Sequence, residues 1–131
     1  MASKNKLKRF EENKTFLNLI QPSREKIIKN QFELKGNWSL NYFKNNNPIV
    51  LELGCGKGEY SLYLAELNPE INYIGIDIKG ARIWRGAKTA IEKGIKNVAF
   101  VRARIELISS LFSNGEIDEI WITFPDPQIK Y

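Results

Sequence analysis

A glycine-rich turn between a predicted strand and a predicted helix constrains the fold of this chain more than any other feature. Residues 51–58 read Leu-Glu-Leu-Gly-Cys-Gly-Lys-Gly and directly follow an apolar pair. A second apolar run, residues 73–76, ends at Asp77. A strand, a glycine turn, a helix and a second strand that ends in a carboxylate make a βαβ unit, and such a unit can bind a nucleoside at the carboxyl ends of its strands.

The spacing of the glycines argues against a dinucleotide ligand. Gly54, Gly56 and Gly58 follow the pattern G-x-G-x-G, whereas the pyrophosphate fingerprint is G-x-G-x-x-G. The carboxylate of Glu52, just before the turn, would repel a pyrophosphate but would attract a cofactor that carries an amino group and a positively charged sulfur. With Asp77 placed to bind ribose hydroxyls, the pattern predicts a site for such a cofactor. A glycine turn without a ligand is the alternative interpretation.

The alternation of apolar and amphipathic segments predicts an α/β fold with a doubly wound parallel sheet. The predicted strands cover residues 49–53, 72–77, 97–102 and 117–124. The predicted helices cover about residues 58–67, 80–93 and 105–112, and Gly94 is predicted to cap the second. The polar stretch before the first strand predicts two parts: an N-terminal arm, residues 1–47, and a binding domain, residues 48–131.

The composition excludes several classes of catalysis. The 131-residue chain contains no histidine, which removes Ser-His-Asp and Cys-His mechanisms and leaves no plausible zinc site, so we expect no metal. Its one cysteine, Cys55, cannot form an internal disulfide and fits a reducing cytoplasm. This cysteine lies inside the glycine turn with no predicted base beside it, which argues against a covalent nucleophile. No apolar stretch reaches the ~18 residues of a membrane span.

Positive charge is concentrated at the start of the chain. Residues 1–30 contain eight of the 20 basic residues and three of the 15 acidic ones, so the whole net charge of +5 lies there. Such a segment is typical of a chain that contacts nucleic acid phosphates. A solvated terminus is an equally supported interpretation.

A second candidate site follows the fourth predicted strand. Residues 124–130 read Phe-Pro-Asp-Pro-Gln-Ile-Lys, and Asp126 would face the crevice beside the glycine turn in the usual strand order. The flanking prolines would stiffen the loop and hold this carboxylate against a substrate. A simple Pro-Asp turn at a strand end is the alternative.

Three runs together, L-E-L-G-C-G-K-G, G-I-D-I-K at 75–79 and F-P-D-P-x-x-K at 124–130, resemble the bacterial tRNA (guanine-N7)-methyltransferases. The resemblance implies a Rossmann-like class I methyltransferase fold, S-adenosylmethionine (SAM) as cofactor and tRNA as substrate, methylated at guanine N7 in the variable loop. By this resemblance Glu52 and Asp77 contact SAM, with Gly54, Gly56 and Gly58 forming the turn around it. Asp126 serves at the catalytic centre and also contacts the substrate, and Lys130 contacts the RNA.

The sequence departs from the family in two places. Many relatives carry an acidic residue after the third strand, near the adenine, where this chain reads Arg102-Ala103-Arg104-Ile105-Glu106. Backbone N–H groups or Glu106 are the alternatives for that contact. Relatives also continue well beyond Tyr131, so we expect this chain to be the N-terminal portion of such an enzyme, with its sheet truncated after the fourth strand and little activity by itself.

The chemistry that the resemblance implies needs no histidine. Guanine N7 carries a lone pair and no proton, so its attack on a methyl group requires no general base. Positive charge then develops on the guanine, and a carboxylate such as that of Asp126 accepts stronger hydrogen bonds in the transition state. A methyltransferase acting on another RNA or a small molecule, and a SAM-binding fragment without activity, stay open as alternatives. Monomer and homodimer both stay open as well.

Overall fold

A parallel sheet of five strands forms the centre of the computed structural model, which describes residues 2–122 and the side chains of residues 5–122. The strands are β1 (Leu19–Ile20), β2 (Ile49–Leu53), β3 (Asn72–Asp77), β4 (Val98–Arg102) and β5 (Glu119–Ile122). Their order across the sheet is β1-β4-β3-β2-β5, and every neighbouring pair is parallel. This arrangement confirms the predicted doubly wound α/β class and places the fourth predicted strand beside the first.

The helices occupy the positions that the sequence pattern predicts after residue 48, with one exception. They are α1 (Ala2–Asn13), α2 (Arg24–Ile28), a π-helical segment (Trp38–Phe43), α3 (Glu59–Leu67), α4 (Gly80–Lys93), a 3₁₀ turn (Ile105–Leu107) and α5 (Ile108–Leu111). The predicted helix over 105–112 is therefore two short pieces. Gly94 caps α4 in the left-handed conformation, as predicted. Within the described residues, no helix combines the length and apolar character that crossing a membrane requires.

Strand β1 corrects the predicted count of four strands. It comes from residues before the predicted domain, and Leu19 pairs with Phe100 at the far edge of β4. Two residues are too short to show the alternation that identifies a strand in a sequence. The sequence could not predict this pairing, because the partner strand β4 lies about 80 residues further along the chain.

Apolar layers cover both faces of the sheet at β2, β3 and β4, which accounts for the near-continuous burial of these strands, whereas the residues of β5 are exposed. On one face, α3 and α4 pack residues such as Leu62 and Ile83 against Phe100. On the other face, residues from the predicted arm lie against α5, and the largest of them, Trp38, is fully buried. The Trp38 indole N–H donates a hydrogen bond of 3.1 Å to the carbonyl of Leu111. Residues of the arm therefore supply part of the core, while the boundary at residue 47 stays a prediction.

The carboxylate of Glu116 joins the arm to the connection between α5 and β5. It accepts backbone hydrogen bonds from Gly36 at 2.8 Å, Trp38 at 3.1 Å and Ser113 at 3.0 Å. A carboxylate that accepts several N–H groups fixes the backbone segments around it, because each such charge-assisted bond is stronger than a neutral one.

Candidate cofactor site

The glycine turn adopts a backbone conformation that other residues rarely accept. Gly54, Gly56 and Gly58 have φ angles of 74°, 58° and 73°, all in the left-handed region. Glycine occupies this region at little cost because it has no Cβ. The N–H groups of Gly54 and Cys55 both donate to the carbonyl of Ile76, at 2.8 and 2.9 Å, and tie the turn to the end of β3.

The glycines differ in what surrounds them. A Cβ built on Gly58 would lie 2.5 Å from the Phe100 ring, so this glycine lets the start of α3 approach β4. A Cβ built on Gly56 would meet no atom within 4 Å. Gly58 is thus explained by packing within the protein, whereas the space beside Gly56 is open for a ligand.

Asp77 lies against the turn, as the sequence predicts for a carboxylate at the end of the neighbouring strand. One of its oxygens accepts the Gly56 N–H at 2.8 Å, and the other accepts the Lys79 N–H at 2.8 Å. Each carboxylate oxygen has two lone pairs, so both oxygens can accept a further hydrogen bond from a ligand hydroxyl. The structure therefore brings Asp77 and Gly56 together at one edge of the sheet.

Glu52 lies deeper than Asp77. Glu52 is 4% exposed, and one of its carboxylate oxygens accepts a hydrogen bond of 2.6 Å from the Ser61 hydroxyl in α3. Sequence reasoning missed Ser61, because a serine in the middle of a helix carries no distinguishing pattern. The pair holds a negative charge beneath the glycine turn, where it favours a cationic ligand group.

The thiol of Cys55 is not suited to nucleophilic attack. Burial raises its pKa well above the ordinary value, and the negative charges of Glu52 and Asp77 raise it further. The neutral thiol is therefore the stable form, and a thiol is a weak nucleophile compared with its thiolate. This supports the prediction from its position that Cys55 is no covalent catalyst.

A cavity of about 560 Å³ opens past the carboxyl ends of β3 and β4, and Ile78, the residue after Asp77, lies in its wall. Apolar and basic side chains from α2 and from the ends of β3 and β4 line it: Pro22, Arg24, Ile27, Ile28, Ile78, Arg102, Ala103, Arg104 and Leu107. Helix α2, which the sequence did not predict, supplies one of its walls. Glu106 is exposed and does not line the cavity, and the Ala103 N–H donates to the Asp77 carbonyl at 3.1 Å. Its volume lies in the range of small-molecule sites, and its apolar side chains suit one face of a planar ring system.

The remaining predicted site residues, Asp126 and Lys130, lie outside the described residues, and their roles stay predictions. The strand that leads toward them pairs with β2 as predicted, with Ile122 opposite Leu53. Within the described part of the chain, no group of three or more His, Cys, Asp or Glu residues could hold a metal ion.

Comparison with known proteins places the site in a family. A family model described as "Putative methyltransferase" matches residues 46–131. The chain is 69% identical over 131 residues to a tRNA (guanine-N(7)-)-methyltransferase of Christiangramia forsetii, covering 100% of this chain and 58% of that protein. It is 47% identical over 127 residues to the protein of the same name from Bacteroides fragilis, covering 97% of this chain and 50% of that protein. The chain thus spans about half the length of the curated relatives it matches.

Solved structures agree on the fold. A methyltransferase described as antibiotic-related is 27% identical and superposes with a TM-score of 0.61 over 74% of this chain and 50% of that one. A 30S ribosomal A1408 methyltransferase from an uncultured bacterium, 22% identical, gives a TM-score of 0.58 over 72% of this chain and 46% of that one. The family match covers the turn, Asp77 and the wall of the cavity that follows β4, and the resemblance found in the sequence is confirmed: the chain belongs to this methyltransferase family.

Proposed function

We propose that this protein transfers a methyl group from SAM to N7 of a guanine in the variable loop of tRNA. Its family and the names of its relatives support this activity. The observation that carries the cofactor part is the open space beside Gly56, next to the Asp77 carboxylate. A cytoplasmic location is part of the same proposal and is supported by the tRNA methyltransferase names of the relatives.

The residues present fit SAM. Asp77 would bind the ribose hydroxyls, the turn from Gly54 to Gly58 would pass beside the amino acid moiety, and the charge of Glu52 would favour its amino group. The cavity past the ends of β3 and β4, lined by apolar and basic side chains, would take the adenine ring. For the polar edge of the adenine, two alternatives stay open: the Glu106 carboxylate as an acceptor for the amino group, and a backbone N–H as a donor to a ring nitrogen. When bound, SAM supplies a methyl group on a positively charged sulfur.

The chain's own contribution to the chemistry is positioning and charge. Holding a nucleophile in line with its target is worth up to about 7–11 kcal/mol of barrier in favourable cases. N7 of guanine has no proton to lose, so a chain without histidine can accelerate the reaction in this way. We propose that Asp126 accepts hydrogen bonds from the guanine as its positive charge develops, and that Lys130 contacts the RNA.

A matched pair of glycine substitutions tests the cofactor part. Gly56→Ala and Gly94→Ala both place a Cβ on a left-handed residue, with no atom within 4 Å of either Cβ. Their costs to folding should therefore be similar. Calorimetry with S-adenosylhomocysteine should show binding to the wild type and to Gly94→Ala, and at least tenfold weaker binding to Gly56→Ala. NAD should give no heat with any of the three.

Methyl transfer is measured with the full-length protein, undermodified tRNA and labelled SAM, followed by cleavage at N7-methylguanosine. Label in the variable-loop guanine supports the proposal. Label in ribosomal RNA but not in tRNA would favour the alternative of a related enzyme with another substrate. Binding of NAD in place of S-adenosylhomocysteine would refute the cofactor assignment.

A further inference from the structure

Five basic side chains lie on two aromatic rings where α1 packs against the start of α4. Three cationic groups surround the ring of Trp84, and two lie over the ring of Phe10. Their distances to the ring centroids are 4.3 Å for Arg9, 4.9 Å for Arg85 and 5.0 Å for Lys88 on Trp84, and 5.7 Å for Lys6 and 5.0 Å for Arg102 on Phe10. We call these five residues the α1–α4 basic surface. Each such contact is attractive because the face of an aromatic ring is negative.

Specific contacts fix α1 in place. The side-chain amide of Asn13, which is 1% exposed, donates a hydrogen bond of 3.0 Å to the carbonyl of Gly80. A Cβ on Gly80 would lie 2.8 Å from the Phe10 ring and 2.9 Å from the guanidinium carbon of Arg102, so this glycine makes room for the helix. The sequence left open whether the basic arm is a solvated terminus. The packing of α1 instead places two of its charges, those of Lys6 and Arg9, over aromatic rings.

The cations of this surface outnumber their carboxylate partners. Glu12 lies 3.5 Å from Lys88, and Glu92 lies 3.4 Å from Arg85. Among residues 5–122, no carboxylate lies within 4.0 Å of the other three cations. Like charges held close together repel one another, and a bound polyanion removes that cost.

Arg9 shows how such a surface can receive an anion. Its guanidinium lies on the Trp84 ring and makes no hydrogen bond to any residue that the structure describes. A stacked guanidinium keeps the N–H groups at its edge for acceptors such as phosphate oxygens. Trp84 itself is 7% exposed, so it supports the cations rather than stacking on a base.

We propose that the α1–α4 basic surface binds the phosphate backbone of the RNA substrate. Helix α4 begins at Gly80, three residues after Asp77, so RNA held here lies beside the edge of the sheet where the cofactor site is built. The inference rests on the proposed function for the identity of the RNA. The inference adds where the RNA would be contacted: on the surface that α1 and α4 form together.

Charge-removing substitutions test this surface. Lys6→Gln combined with Arg9→Gln removes two charges from it. Lys93→Gln combined with Lys96→Gln removes the same charge at the other end of α4, from its last residue and from the loop that follows. Each phosphate contact contributes about 0.7–0.9 to the slope of log affinity against log salt concentration. The first double variant should therefore lower the slope for tRNA by about 1.4–1.8. If the variant and the wild type bind tRNA equally at ~1 M salt, this change in slope weakens binding by the variant about 25- to 60-fold at ~0.1 M salt. The control double variant should bind tRNA like the wild type.

Two further measurements distinguish a loss of RNA contacts from a loss of folding or of cofactor binding. A charge-preserving variant, Lys6→Arg with Arg9→Lys, should restore the slope, and S-adenosylhomocysteine affinity should be equal in all variants. Equal slopes for the two charge-removing variants, or no tRNA binding by the wild type, would overturn the inference. If the salt slopes are as expected but the full-length protein transfers no methyl group to tRNA, the proposed function is refuted, while the assignment of RNA binding to the α1–α4 basic surface is supported.

Discussion

Replacing Asp77 by asparagine should weaken cofactor binding more than it weakens the fold. The carboxylate accepts the N–H groups of Gly56 and Lys79 at 2.8 Å each, one on each oxygen. An asparagine side chain has one acceptor oxygen, so one of these N–H groups would face an NH₂ donor instead. The substitution also removes the charge that strengthens hydrogen bonds from the two ribose hydroxyls.

The expected size follows from the number of bonds affected. Charge-assisted hydrogen bonds contribute about 1.5–3 kcal/mol each, and neutral ones about 1 kcal/mol. Converting two ribose contacts from the first kind to the second should cost about 2–3 kcal/mol of binding free energy. The dissociation constant of S-adenosylhomocysteine, measured by calorimetry, should rise about 30- to 150-fold.

Asp118 provides the matched control. Its carboxylate also accepts a backbone N–H at 2.8 Å, that of Ile49, but at the amino end of β2. Asp118→Asn makes the same chemical change at the opposite end of the sheet, so it should leave the dissociation constant within about twofold of the wild-type value. Both variants should have lower melting temperatures than the wild type. If Asp77→Asn bound S-adenosylhomocysteine as tightly as Asp118→Asn, the assignment of Asp77 to the ribose would be wrong.

Three further predictions concern packing, reactivity and catalysis. Gly58→Ala should lower the free energy of unfolding by about 2–4 kcal/mol in urea titrations, since it adds a clash with Phe100 to left-handed strain. Gly115→Ala, with φ +78° and no atom near its Cβ, should cost only about 1 kcal/mol, and equal costs would contradict the clash. Cys55, whose thiol pKa burial raises, should react with iodoacetamide at pH 8 far more slowly in the native than in the denatured protein; fast native labelling would show an accessible thiolate. In the full-length protein, Asp126→Asn should lower methyl transfer about 10²-fold or more without changing S-adenosylhomocysteine affinity, and a parallel loss of affinity would make Asp126 a cofactor contact.

The central βαβ units were predictable because strong local signals mark them. Apolar runs long enough to be buried on both faces identify β2 and β3, and Gly94 marks the end of α4 through a conformation that glycine favours. The meeting of Asp77 with the Gly56 N–H was predictable too, since parallel strands end at the same edge of a sheet.

Structure that depends on distant contacts could not be predicted from sequence. The π-helical turn that begins at Trp38 is stabilised by burial of its indole against Leu111, and β1 exists because Leu19 pairs with Phe100. Neither segment carries a periodic pattern of its own. Ser61, which donates to Glu52 in the site, was missed for the same reason.

The pairing of β1 with β4 sets an order on folding during synthesis. Leu19 leaves the ribosome early but has no strand to pair with until Phe100 has been made. The Gly36 N–H likewise has no acceptor until Glu116, which lies 80 positions further along the chain, has been made. Contacts between distant parts of a chain form slowly because the intervening segment must first be closed into a loop. The nascent arm therefore keeps its positive charge and an unburied Trp38 until residue 116 has been made, and its protection from aggregation until then falls to that charge and to chaperones.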